Sequence, residues 1–214
     1  SLTAQAQAAL SAEQLQADGS HFKVLQDGVV QGEVCWNMTG QHSVANALAT
    51  IAAAAHVGVS IETACAALSN FGGVKRRMEL LDTVRGIEVY DDFAHHPTAI
   101  DTTLEGARKR LGERKLWAII EPRSNTMRMG SHKNGLAHSA RLADEVIWYQ
   151  PEGLDWDLQP VVAAAPNKAK IARTLDDIIH TVSQEAGEGD AVVIMSNGGF
   201  GGLHQKLLSA LKSA

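Results

Sequence analysis

From residue 81 onwards, short apolar runs alternate with segments of helical spacing, and this alternation constrains the fold more than any other feature. The apolar runs cover residues 87–90, 116–120, 145–149 and 191–195. They are nearly uninterrupted, which is typical of strands covered on both faces. The segments of helical spacing cover residues 98–111, 134–142 and 175–186. The sequence therefore predicts an α/β domain over residues 81–214, with a mainly parallel sheet and helices on both faces.

The first 80 residues have a different pattern, and a boundary is predicted between Gly73 and Leu81. The elements expected there are a helix over 2–17, a hairpin over 22–36, and helices over 43–57 and 61–70. The hairpin is indicated by Asp27-Gly28, because glycine tolerates the positive backbone angle of a tight turn. Ser60 is placed to cap the last of these helices.

Composition excludes several classes of function. A formal net charge of -5 argues against general nucleic-acid binding, which needs a basic surface. The longest apolar stretch, residues 45–59, is shorter than the roughly 20 residues that cross a bilayer, and no charged-then-apolar leader opens the chain. Cys35 and Cys65 lie in apolar contexts without metal-like spacing, as expected of reduced, packed thiols in a cytoplasmic protein.

Two of four polar clusters come early in the chain. His42 and Asn46 open the Ala-rich helix, four residues apart and so on one face, where an imidazole can stack on a planar base and an amide can bond to it. Simple helix capping is the alternative. The second cluster is Lys75-Arg76-Arg77, which could bind phosphate or carboxylate or form a solvated basic turn.

The third cluster, residues 91–97, is the densest. It reads Asp-Asp-Phe-Ala-His-His-Pro and directly follows the predicted strand 87–90. So many polar groups at a buried strand end need partners, which indicates a functional site. Ribose hydroxyls, a polar substrate and a metal ion are all candidate ligands, but the adjacent His95 and His96 point in different directions, and no third ligand with suitable spacing supports zinc.

The fourth cluster pairs two predicted loops, each following a strand. Residues 121–128 carry Arg123, Asn125 and Arg128, which suit carboxylate recognition. Residues 196–202 carry four glycines, which allow backbone amides to approach an anion closely before the last helix. Because open α/β sheets bind ligands at the carboxyl ends of their strands, these positions favour a binding role.

Taken in order, these segments resemble the Mur ligase family over nearly the whole chain. The family carries a His-Asn-x-x-Asn segment opening an Ala-rich helix, then Phe-x-Gly followed by paired arginines, then Asp-Asp-aromatic-small-His-His-Pro. The matching positions here are His42, Asn46, Phe71, Gly73, Arg76, Arg77 and residues 91–97. Residues 121–130 and 195–206 look most like the members that join UDP-N-acetylmuramate to the murein tripeptide L-Ala-γ-D-Glu-meso-diaminopimelate in peptidoglycan recycling.

The resemblance implies an ATP-dependent amide ligase that works through an acyl-phosphate intermediate. It implies a Rossmann-like C-terminal domain over residues 81–214, preceded by the incomplete end of the central ATP-binding domain over residues 1–80. It assigns ATP binding to His42, Asn46, Arg77 and Asp92. Substrate binding is assigned to His95, His96, Arg123, Asn125 and Arg128. The partners expected are the two substrates and the upstream domains of the same ligase, with neither nucleic acid nor membrane.

Two departures from the family pattern stand out. Ser43 occupies the position where the family has its first Asn, so the paired donor and acceptor of an amide are lost there. No Gly-x-x-Gly-Lys-(Ser/Thr) segment occurs in the 214 residues. The phosphate-binding loop and the Mg²⁺ ligands are therefore expected upstream, and the chain alone is expected to be an inactive fragment. No catalytic residue is assigned within it.

Two other interpretations remain open at this point. The chain could be a stand-alone nucleotide-binding or regulatory module, with the glycine-rich loop after Met195 holding a dinucleotide. It could also be a small metal-dependent hydrolase built on the adjacent pair His95 and His96.

Overall fold

A computed structural model describes residues 10–122, 133–154 and 156–213. The chain divides into two compact units, Ser1–Lys75 and Arg76–Ala214. The division lies five residues before the expected start of the second domain, because the backbone from Arg76 to Met78 already bonds to the strand end at Asp92 and Phe93. No helix in the described residues is long and apolar enough to cross a membrane.

The first unit is a three-stranded antiparallel sheet with two helices. Its elements are β1 (Leu10–Gln14), β2 (His21–Gln26), β3 (Val29–Cys35), α1 (Gln41–His56) and α2 (Ile61–Ser69). One core cluster joins them, with Phe22, Val24 and Val34 of the sheet and Val44 and Ile51 of α1 fully buried. Ser60 caps α2 as predicted, since its side chain accepts a hydrogen bond from the Thr63 amide.

The predicted helix at the start of the chain is wrong over the described part. Leu10–Gln14 forms a strand whose five residues pair antiparallel with β2. Ala, Gln and Leu favour a helix locally, but the ladder of hydrogen bonds to β2 outweighs that propensity. Cys35 also differs from expectation, since it is exposed, whereas Cys65 is buried and burial raises its thiol pKa.

The second unit is a six-stranded sheet of order β4-β5-β9-β6-β7-β8, parallel except for β4. Its strands are β4 (Glu79–Val84), β5 (Ile87–Asp92), β6 (Leu116–Ile120), β7 (Glu145–Tyr149), β8 (Lys168–Ala172) and β9 (Ala191–Met195). Its helices are α3 (Pro97–Leu111), α4 (Lys133–Ser139), α5 (Gln159–Ala163), α6 (Leu175–Glu185) and α7 (Leu203–Ser213). The predicted mainly parallel sheet is confirmed.

Helices cover both faces of this sheet, as predicted. One cluster packs α3, α4 and α5 against side chains such as Ala118 and Val193. The other packs α6 and α7 against the alternate residues, such as Trp117 and Val192. Every residue of β6 and β9 is consequently buried, which explains why these strands appear in the sequence as continuous apolar runs.

The hairpin turn between β2 and β3 offers a test of the backbone geometry. Asp27 and Gly28 both have positive φ, 49° and 82°, as in a type I′ turn. A Cβ on Gly28 would meet nothing within 4 Å, so Gly28→Ala creates no clash. The alanine must still adopt a left-handed backbone, and we expect this to lower the free energy of unfolding by about 1 kcal/mol. Gly72→Ala, which adds a Cβ in equally open space without a positive φ, is the control. Equal stabilities of the two variants in urea unfolding would contradict the turn geometry.

Candidate functional site

The carboxyl ends of β5, β9 and β6 lie side by side at one edge of the parallel sheet. Pairing continues past the strand ends, since the Ser196 amide donates to the Asp92 carbonyl (3.1 Å) and the Glu121 amide donates to the Met195 carbonyl (3.0 Å). After β6 the chain continues to α4 on one face, and after β9 it continues to α7 on the other. The connections that follow the neighbouring strands β9 and β6 therefore leave toward opposite faces of the sheet, which marks a topological switch point of the kind where open α/β sheets bind ligands.

Asp92, the last residue of β5, is almost completely buried and is bonded within its own unit. Its carboxylate accepts hydrogen bonds from the Met78 amide (2.8 Å), the Ala94 amide (2.8 Å) and the Thr103 hydroxyl (3.1 Å). Burial raises its pKa, and these hydrogen bonds offset only part of that effect. An ionised carboxylate offers about four acceptor positions, so most of the capacity of Asp92 holds the strand end in place.

Asp91 points to a different set of partners. Its carboxylate lies 3.0 Å from Nε of Arg76 and 3.1 Å from Nε2 of His204, in the first turn of α7. The contact with His204 is within ion-pair distance, although the two atoms do not meet hydrogen-bond geometry. Burial alone would raise the pKa of Asp91, but His204 and Arg76 outweigh it and hold that pKa below its ordinary value.

Beyond Asp92, a row of aromatic and cationic side chains lies on the surface. The guanidinium of Arg77 is 5.9 Å from the Phe93 ring centroid. The ring centroids of Phe93 and His95, and of His95 and His96, are each 5.4 Å apart in edge-on contacts. Arg77, Phe93 and His96 are exposed and His95 is half-buried, so the row can present π faces, imidazole nitrogens and a positive charge to a ligand.

The two histidines of this row do not form a metal site with other described residues. Nδ1 of His95 lies 2.8 Å from the Phe93 carbonyl oxygen, and Nδ1 of His96 accepts a hydrogen bond from the Ala99 amide at the start of α3. Within residues 10–122, 133–154 and 156–213, no three His, Cys, Asp or Glu side chains are grouped as metal ligands would be. The described residues therefore lend the metal-dependent hydrolase interpretation no support.

The first residues after β6 and β9, Glu121 and Ser196, meet at the switch point. The Ser196 hydroxyl donates to the Glu121 carboxylate and accepts from the Gly198 amide (2.9 Å). Both Ser196 and Glu121 are buried. Arg123, Asn125 and Arg128 lie outside the described residues, so their assignment to substrate remains a prediction.

In the first unit, His42 and Asn46 are exposed on the first turns of α1. The residue in the cap position is Gly40, which has no side chain to cap with, so helix capping does not account for the cluster. Ser43 turns the other way: it is buried and its hydroxyl donates to the Thr39 carbonyl (2.7 Å). Ser43, at which this chain departs from the family pattern, thus has a structural role inside the first unit.

Four of the predicted site residues therefore lie together in the second unit, namely Arg77, Asp92, His95 and His96. His42 and Asn46 belong to the first unit. Sequence reasoning missed the roles of His204 and Glu121 as partners of Asp91 and Ser196. The one sequence signal for His204 is its position, since it is a polar residue directly after the glycine-rich loop.

A family model described as "Mur ligase, glutamate ligase domain" matches residues 76–198, more than half of the chain. The chain belongs to the Mur ligase family. It is 46% identical over 202 residues to the UDP-N-acetylmuramate–L-alanyl-gamma-D-glutamyl-meso-2,6-diaminoheptandioate ligase of Haemophilus influenzae, covering 94% of this chain and 45% of that protein. The family resemblance predicted from the sequence is confirmed.

Other Mur ligases show the same relationship. A crystal structure of a murein peptide ligase from Psychrobacter arcticus is 54% identical, with a TM-score of 0.71, over 96% of this chain and 45% of that one. A UDP-N-acetylmuramate–L-alanine ligase of Desulfitobacterium hafniense is 30% identical over 91% of this chain and 45% of that protein. The chain thus spans less than half the length of the curated relatives it matches.

The ion pairs of Asp91 predict a pH-dependent contribution to stability. A lowered folded-state pKa means that the contribution is present above the unfolded value, about 3.9, and is lost as the pH falls through the folded value. Asp91→Asn should therefore lower the unfolding free energy by about 1–3 kcal/mol at pH 7, and by progressively less below pH 4. Urea unfolding of both proteins between pH 3 and 7 measures this, and a penalty independent of pH would contradict it.

Proposed function

We propose that this chain is the C-terminal part of an ATP-dependent Mur ligase that joins UDP-N-acetylmuramate to the tripeptide L-Ala-γ-D-Glu-meso-diaminopimelate in peptidoglycan recycling. The observation that carries the proposal is the 46% identity, over 94% of this chain, to a ligase whose name contains this tripeptide. The grouping of Arg77, Asp92, His95 and His96 at a ligand-binding edge of the sheet supports it.

We further propose that the two units belong to two domains of that ligase. The second unit, Arg76–Ala214, contains all the residues that match the family model and corresponds to the C-terminal domain. The first unit corresponds to the end of the central ATP-binding domain. The phosphate-binding loop and the Mg²⁺ ligands are then carried elsewhere in the ligase.

The residues proposed for ATP fit its parts chemically. His42 and Asn46 are exposed one helical turn apart, which suits stacking on a base and bonding to its edge. Arg77 is an exposed cation whose charge acts on Asp92, and it suits a phosphate oxygen. The carboxylate of Asp92 is almost completely buried but retains acceptor capacity for about one more donor, such as a ribose hydroxyl. ATP, when bound, supplies the phosphoryl group that activates the muramyl carboxylate.

The substrate side is proposed at the same edge of the sheet. His95 and His96 stand beside Arg77 and Phe93 and offer imidazole nitrogens to a polar substrate. Arg123, Asn125 and Arg128 follow β6 in the sequence, and an arginine binds a carboxylate through two parallel hydrogen bonds. A tripeptide ending in diaminopimelate carries several carboxylates, which suits more than one arginine.

A second candidate is a ligase that adds L-alanine alone, because a relative of that name is 30% identical over 91% of this chain. Both candidates share UDP-N-acetylmuramate and differ in the amine that attacks the activated carboxylate. The tripeptide is favoured by the higher identity to the relatives named for it.

The two candidates make different predictions for the ligase that contains this chain. With ATP and UDP-N-acetylmuramate, we expect kcat/KM for the tripeptide to exceed that for L-alanine at least a hundredfold. The physical reason is that buried groups selecting extra carboxylates are left unpaired by a substrate that lacks them. ADP release with each amine measures the ratio. A preference for L-alanine would establish the second candidate, and turnover with neither amine would refute both.

The proposed phosphate contact of Arg77 can be tested separately. Arg77→Lys keeps the charge but loses the planar fork, so the KM for ATP should rise about tenfold, equivalent to about 1.4 kcal/mol. Arg85→Lys is the matched control, since Arg85 is an exposed arginine of the same unit in the turn at the opposite end of β5. Steady-state kinetics with ATP varied would refute the assignment if both variants matched the unaltered ligase.

A further inference from the structure

The loop between β9 and α7, residues 196–202, has a backbone shape that needs external support. Phe200, Gly201 and Gly202 follow one another with φ of 43°, 56° and 75°. A left-handed backbone is unfavourable for a residue with a side chain, and Phe200 is such a residue. Its ring is fully buried and lies 5.3 Å from that of Tyr149. The ring anchors the middle of the loop, and the two ends need other contacts.

Arg76 supplies the contact at the beginning of the loop. Its Nη2 donates to the carbonyl oxygens of Ser196 (2.6 Å) and Gly198 (2.8 Å), while its Nε donates to the Asp91 carboxylate (3.0 Å). One guanidinium therefore holds two loop carbonyls and the end of β5 at once. A planar fork with five donors suits three acceptors that lie in different directions.

The same carboxylate reaches the other end of the loop. His204 lies in the first turn of α7, directly after the loop, and its Nε2 is 3.1 Å from Asp91. The beginning and the end of the loop thus both contact one group of side chains, Arg76–Asp91–His204. All three side chains are at least two-thirds buried, so water screens these contacts less than it screens surface ion pairs.

The backbone of Arg76 is itself fixed. Its amide donates to the Glu79 carboxylate (2.7 Å), its carbonyl accepts from the Phe93 amide (2.8 Å), and its φ is 60°. These contacts hold the backbone of Arg76 in a left-handed conformation, so the point from which its side chain extends toward the loop is fixed. Arg77, the residue proposed for phosphate, follows directly in the chain.

A second attachment of the loop does not involve Arg76. The Ser196 hydroxyl bonds to Glu121 on the β6 side, and β9 pairs with β5 and β6 through its own backbone. Removing the guanidinium should therefore loosen residues 197–202 while leaving the sheet intact. This local effect distinguishes a positioning role from a contribution to overall stability.

We propose that Arg76 is a positioning residue that acts through Asp91 and His204 to hold the loop 196–202 in shape for the peptide substrate at the switch point. Its role as a substrate-positioning residue rests on the proposed ligase function. The existence of the clamp does not, because it can be measured on the 214-residue chain without any activity.

The first experiment measures backbone hydrogen exchange of the chain with Arg76→Met and Arg76→Lys. We expect the amides of residues 197–202 to exchange at least tenfold faster in Arg76→Met and by a smaller factor in Arg76→Lys, which can still pair with Asp91. Amides of β6 and β7 should be unchanged, which also shows that the variants fold. Unchanged exchange in the loop of Arg76→Met would overturn the clamp.

Arg108→Met is the matched control for Arg76→Met. Arg108 makes an equivalent clamp at the opposite edge of the sheet, donating to the carbonyls of Gly112, Arg114 and Leu142 and to the Asp144 carboxylate. Its loss should accelerate exchange around those residues and leave residues 197–202 as they are. Acceleration of the loop in this control as well would mean that any lost arginine loosens the loop, and would overturn a specific role for Arg76.

The second experiment uses the ligase that contains the chain. Arg76→Met should raise the KM for the tripeptide about tenfold and leave the KM for ATP within twofold, and Arg76→Lys should restore part of the loss. Equal changes for both substrates, or none, would overturn the positioning role even where the loop exchanges faster. If the unaltered ligase turns over no tripeptide, the proposed function fails, while the exchange experiment still decides whether the clamp exists.

Discussion

The insertion of β9 between β5 and β6 is the constraint on which the rest of the second unit depends. Parallel pairing on both sides of β9 places three strand ends in one row. Because β9 is the last strand in the chain, the loop that follows it lies beside residues that are far away in sequence. The polar residues 91–97, Glu121 and the glycine-rich loop become neighbours only through this strand order. The candidate site thus depends first on the strand order, which brings these segments together, and then on the chemistry of their side chains.

Asp91 and Asp92 show how adjacent residues at such an edge acquire opposite properties. Alternation along a strand sends their side chains to opposite faces. Asp92 meets two backbone amides and a hydroxyl, which are neutral donors, and burial raises its pKa. Asp91 meets a guanidinium and an imidazole, and these lower its pKa in spite of burial. Asp91 therefore makes the side-chain contacts with cationic partners at this edge, while Asp92 mainly holds the backbone of its neighbours in place.

How much of the fold the sequence predicts depends on where each strand lies in the sheet. The inner strands β5, β6, β7 and β9 were predicted, because burial on both faces leaves a continuous apolar run. The edge strands β4 and β8 were not, since charged residues such as Asp82, Lys168 and Lys170 interrupt their apolar pattern. β1 was predicted as a helix from its composition. The structure shows a strand there instead, because these residues pair with β2.

The site was predictable to the extent that its residues are consecutive. The cluster 91–97 and the two loops were found from strand ends and residue types alone. The contacts of Asp91 with His204 and of Arg76 with Ser196 could not be predicted, because they join segments that no local pattern relates. No feature of the sequence distinguishes Asp91 from Asp92, since the opposite shifts of their pKa values arise from partners that only the fold brings near.

The fold does not by itself decide the substrate. The structure of a UDP-N-acetylmuramate–alanine ligase from Thermotoga maritima has a TM-score of 0.78 to this chain at 23% identity, so the framework persists while most side chains change. A buried sheet that tolerates such divergence keeps its strand ends in place and leaves the loops free to vary. On the proposed function, we infer that residues of the loops after β6 and β9 contribute to discrimination between a tripeptide and a single amino acid. In the described residues, the loop after β9 is held by a few polar contacts, such as Glu121–Ser196 and Arg76 with Ser196 and Asp91, so a change at either contact would alter this loop without disturbing the sheet.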